Sequence, residues 1–73
     1  MVAVRFPESQ RYLNYEAARE LPLIFVTGTL GATLFTDEAA AVRFLNSKAA
    51  KAAWKKVNAA YTAKDFEVVT VAV

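Results

Sequence analysis

The sequence predicts an α+β fold, an antiparallel sheet of four or five strands packed against one amphipathic helix over about residues 48–61. Three observations carry this reading. β-rich runs punctuated by turn residues occur at 2–6, 11–15, 23–26, 32–35 and 66–73, and the stretch 37–61 contains neither Gly nor Pro. With 73 residues there is room for a single domain, 1–73, and one pair of packed layers. Of the 56% hydrophobic residues, 15 are Ala, so the apolar payload sits in Val, Leu, Ile, the five Phe, the three Tyr and Trp54.

The first element is AVRF, followed by the turn chemistry of Pro7-Glu8-Ser9 and by the tyrosine-rich RYLNY, which suits a pleated surface. A hairpin of Val2–Phe6 with Arg11–Tyr15 follows. The competing assignment is a helix capped by Ser9 and running to Glu20, with Leu13, Ala17 and Leu21 on one stripe. Next, LPLIFVTGTLGATLFT spans residues 21–36 without a charge. It falls short of the ~20 residues that cross a bilayer, and Pro22 and two glycines interrupt it. A phosphate loop needs a Lys after the second of two glycines five apart, whereas Gly28 and Gly31 are three apart and no Lys follows. LIFV and ATLF therefore read as the arms of a second hairpin.

Apolar positions after Asp37 do not keep one phase. With Trp54 at zero and ~100° per residue, Ala50, Ala53, Val57 and Tyr61 share a stripe while Val42, Phe44 and Leu45 scatter. A break at Asn46-Ser47 follows, with Ser47 as N-cap of a helix from Lys48 to about Tyr61, and AVRF at 41–44 as a short extended piece. Lys48, Lys51, Lys55 and Lys56 lie opposite the apolar stripe. Thr62-Ala63-Lys64-Asp65 then turns the chain into FEVVTVAV, whose two faces are both mostly apolar, as expected for a central or doubly covered strand. The string A-V-R-F-x-x-S at 3–9 recurs at 41–47, which, read as a duplication, gives a ferredoxin-like βαββαβ alternative.

Function classes narrow by exclusion. The chain has no Cys and no His, which removes thiolate nucleophiles, imidazole bases, disulfides and the usual zinc sites. No carboxylate pair is placed across a cleft by the pattern, and no D-x-D-x-D-G loop occurs, so neither an enzyme nor a metal or cofactor is expected. MVAVRFPESQ leaves no room for a signal-peptide apolar core, and the expected setting is intracellular.

Charge supplies the positive signal. Residues 1–41 hold three basic against five acidic residues, whereas 42–73 hold six basic against two acidic ones, and all six bases fall in 42–64 without an intervening acid. No Glu balances the helical lysines at i±3 or i±4, and Lys48 in the first turn opposes the macrodipole by about 0.3 to 1 kcal/mol. Arg43, Lys48, Lys51, Lys55 and Lys56, with Arg5 and Arg11 contributing to the field, are the candidate partner-binding residues, and an acidic partner, protein or nucleic acid, is the expectation. Arg11, Tyr12 and Tyr15 offer a base-stacking reading, but positions 12 and 15 of a strand face opposite ways, so core and rim packing is the expectation for them.

The run TDEAAAVRFLNSKAAKAAWKKV, followed by DFEVVTV, resembles a pattern of very small phage-encoded proteins. In length and character the chain is similar to the RNA-polymerase-binding regulators exemplified in a lytic Xanthomonas phage, which restrain initiation and let elongation pass terminators. The likeness covers about residues 23–73, and its elements are structural, so no contacting residues transfer to positions here. It implies a non-enzymatic regulator acting on bacterial RNA polymerase in the host cytoplasm, monomeric when free and away from membranes. A small nucleic-acid-binding protein and an inhibitor of a bacterial immune complex are the alternatives.

Overall fold

Pro7, Glu8, Ser9 and Gln10 reverse the chain with Gln10 in the left-handed region at φ 57°, where its N–H donates to the Phe6 carbonyl at 2.8 Å. That turn joins β1 (Val2–Phe6) to β2 (Arg11–Tyr15), so the hairpin forms with the expected bounds and the helix from Ser9 does not. This description comes from a computed structural model and covers residues 1–72. Arg19 then organises the next connection, its guanidinium donating to the carbonyls of Asn14, Leu21 and Pro22 and to the Glu16 carboxylate at 3.0–3.2 Å. β3 (Leu23–Val26) returns antiparallel along β2 with Leu13 opposite Phe25.

The second expected hairpin is not formed. Thr29–Gly31 make a 3-10 turn, and the following segment leaves β3 to enter the opening between β1 and β2. There the Thr33 N–H donates to the Leu13 carbonyl at 3.0 Å, and the Thr33 hydroxyl accepts from the Tyr15 N–H at 2.8 Å. On the other side Phe35 and Val2 exchange both backbone bonds at 2.8 and 2.9 Å. Beyond Tyr12, β2 therefore has donors and acceptors that β1 does not reach, and residues 33–35 satisfy them. Alternating apolar character made ATLF strand-like, but its partners are β1 and β2 rather than β3.

Asp37 caps the next helix, accepting the Ala40 N–H at 2.8 Å, and α1 (Glu38–Leu45) buries Ala41 and Leu45. Residues 41–44 are therefore helical rather than extended. The phase break is real, but it separates two helices. Ser47 makes it twice over: its hydroxyl donates to the Phe44 carbonyl at 2.6 Å, closing α1, and accepts the Ala50 N–H at 3.2 Å, opening α2 (Lys48–Lys56). α2 stops short of Tyr61 because Asn58 adopts φ 55°. The Asn58 N–H bonds the Lys55 carbonyl and the Ala59 N–H bonds that of Trp54, a Schellman closure. Val57 is accordingly 39% exposed, and Ala53 takes the core place expected of it.

Asp65 accepts the Thr62 N–H at 2.7 Å in a short 3-10 turn, and the chain enters β4 (Glu67–Thr70), which pairs antiparallel with β1. The sheet order is β3-β2-β1-β4, four strands with β4 at an edge and not in the middle. The two AVRF strings lie in a strand and in a helix, which removes the βαββαβ alternative. One sheet face carries Val4, Leu13, Leu23 and Phe25 against Ala41, Leu45, Ala53 and Trp54. Both helices thus lie on one side of the sheet. Around Trp54, which is 3% exposed, Phe25 and Phe66 stack at 6.2 and 5.7 Å and Tyr61 meets it edge-on at 5.0 Å.

Candidate functional site

Strand alternation separates the two arginines of the hairpin. Val4 and Leu13 point into the core, so Arg5 projects from the opposite face of the sheet, whereas Arg11, in phase with Leu13, projects toward the helices. Arg5 is occupied there by Glu67 of β4, bonded through Nε at 2.5 Å, and that bond is the main cause holding its guanidinium pKa above the ordinary arginine value. It is a strut between β1 and β4 and does not join the basic cluster.

Lys48, Lys51 and Lys55 form one stripe along α2, at positions i, i+3 and i+7, with Lys56 about 80–100° further round. All four are exposed, as is Arg43 on α1, which lies opposite the buried Ala41 and Leu45. Among the described residues, the ion pairs are Arg5–Glu67 and Arg19–Glu16, so none of these five cations has a carboxylate partner. Lys55 and Lys56 fall in the last turn, where the helix dipole favours cations, while Lys48 in the first turn stands against it. A positive face is therefore maintained without internal neutralisation.

Two open grooves adjoin this face, and Tyr61 lines both. One, of about 250 Å³, runs between Lys51, Trp54 and Lys55 of α2 and the segment from Ala59 to Thr62. The other, of about 400 Å³, is lined by Phe6, Ser9, Arg11, Phe25 and Tyr61. Aromatic carbon forms the floor and cations stand at the rim. Phe6 contacts Phe25, Tyr61 and Phe66 in edge-on geometry at 5.9, 5.5 and 5.6 Å, so this floor is tied to the core around Trp54. Arg11 is thus brought to the same side as Lys51 and Lys55, and Arg5 is not.

No protein-family model, curated protein or solved structure matches this chain.

Phe6, Phe25 and Tyr61 had no functional signal in the sequence beyond being aromatic. Tyr61 reads as the last member of the helix stripe, and only the left-handed Asn58 turns it out of α2 and between the grooves. This arrangement is suited to recognition. Lysines and arginine supply long-range attraction and directional donors, while the aromatic grooves accept apolar or ring-bearing side chains. Among the described residues no cluster of three metal-ligating side chains occurs, and no helix is long and apolar enough to cross a membrane.

Proposed function

We propose that this chain is a non-enzymatic binding protein that applies the lysine stripe of α2, with Arg11 and the grooves beside Tyr61, to an acidic protein surface. The observation that carries the reading is the stripe Lys48, Lys51 and Lys55, exposed and without a carboxylate partner among the described residues. Such a face speeds encounter with an oppositely charged partner and excludes basic ones. The grooves provide what charge alone does not, an aromatic-floored place where a partner's anchoring side chain is desolvated on binding.

The partner we propose is bacterial RNA polymerase, on the resemblance to small phage regulators. Occupation of its surface restrains initiation and favours antitermination in the host cytoplasm. Replacing Lys51 and Lys55 by Glu should abolish retention of purified polymerase on the immobilised chain while leaving the far-UV circular dichroism spectrum unchanged. Unchanged retention would move the interface elsewhere. A retained nucleic acid whose affinity falls steeply with salt, with no polymerase bound, would replace the protein partner by a phosphate backbone.

A further inference from the structure

β4 is an edge strand of the sheet, paired on one side with β1. In an antiparallel ladder the N–H and C=O of one residue point to the same side, and successive residues alternate sides. Val2 exchanges its bonds with Phe35, on the β2 side, so Ala3 and Arg5 face β4, as does Met1, whose carbonyl accepts from the Val71 N–H at 2.9 Å. Glu67, Val69 and Val71 are therefore the residues of this strand bonded to β1. Val68 and Thr70 direct their N–H and C=O outward, and no backbone partner meets them among the described residues.

Natural edges are protected by Lys, Pro or a bulge, and residues 66–72 contain neither Lys nor Pro but four consecutive β-branched residues, Val68 to Val71. The opposite edge, β3, lies under the lysine-bearing α2, so two copies joined there would bring two positive faces together. At β4 the nearby charges are balanced: Glu67 is paired with Arg5, and Lys64 adjoins Asp65.

We propose that, in place of the free monomer expected from the sequence, β4 pairs with β4 of a second copy about a two-fold axis through Val69, making one continuous antiparallel sheet. In this register Val68 of one copy exchanges both backbone bonds with Thr70 of the other, and the reverse. Val69 then faces its own symmetry mate and Glu67 lies beside Val71, so no like charges oppose each other. The lysine stripes remain at the two far ends, free for the partner proposed above.

Thr70→Pro tests the arrangement, because the Thr70 N–H points away from β1 and its loss removes no bond within the chain. In sedimentation equilibrium the full chain should show, with rising concentration, twice its 8.0 kDa mass, and Thr70→Pro should stay at 8.0 kDa with an unchanged far-UV spectrum. Thr70→Lys, which places an ammonium on the edge without altering the backbone, should also be monomeric and decides the matter if the proline variant unfolds. A wild-type chain that stays at 8.0 kDa up to millimolar concentration, a folded variant that still dimerises, or growth beyond the dimer would each overturn the proposal. Polymerase retention by the Thr70 variants is expected to persist, so failure of this surface and failure of the lysine face are distinguishable.

Discussion

Thr33→Val removes one oxygen and keeps the shape of the side chain, at the point where residues 33–35 enter between β1 and β2. The lost atom accepts the Tyr15 N–H at 2.8 Å in a half-buried position. Valine is the better strand former and the more apolar residue, so propensity and burial both predict a gain in stability. The hydrogen bond predicts the opposite, because a donor left without a partner costs about 1 to 3 kcal/mol. A domain of this size has roughly 4 to 11 kcal/mol of stability in total, at ~0.05 to 0.15 kcal/mol per residue. Each kcal/mol corresponds to about 4 to 8 °C in Tm for such a domain. The valine variant should therefore melt on the order of 5 to 20 °C below wild type, with an unchanged urea m-value. Thr33→Ser keeps the acceptor and should recover most of the loss. A valine variant as stable as wild type, or more so, would refute the insertion as the element that satisfies β2.

Two further perturbations probe the packing. Trp54→Ala removes the ring that Phe25 and Phe66 stack on and should cost about 3 to 5 kcal/mol, much of the total stability, read as a large fall in the urea midpoint. Ser47→Ala leaves the Ala50 N–H without its cap and removes the hydroxyl's bond to the Phe44 carbonyl, which keeps the backbone N–H of residue 47 at 3.0 Å; it should cost about 0.5 to 2 kcal/mol, with lost helical ellipticity marking the junction of α1 and α2.

Much of the site was legible because its signals are local. Ser47 announces a helix start wherever it is read, and lysines at 48, 51 and 55 share a face in any α-helix. Asp37-Glu38 carries the same kind of signal for α1, a cap followed by an acid in the first turn, but a phase mismatch at Asn46-Ser47 is equally compatible with an extended piece and with a second helix before it. Asn58 likewise tolerates the left-handed conformation that ends α2, although nothing before it in the chain says that the option is taken. Arg5 shows where local reading fails. Its charge was visible, but its face and its partner Glu67 depend on a strand 62 residues away.

By itself, the sequence determined the α+β class, the break at Ser47 and the uncompensated lysine face, and it placed the first hairpin's bounds while leaving a helix from Ser9 as its rival. Each rests on spacing within a few residues, where backbone geometry permits few alternatives. The tertiary structure alone decided that residues 33–35 join β1 and β2, that β4 lies at an edge, and that Tyr61 lines both the groove of Arg11 and the groove of Lys51 and Lys55. These are non-local pairings. An alternating apolar segment carries the same side-chain period whichever strand it bonds to, so its partner is chosen by which donors and acceptors the rest of the fold leaves open.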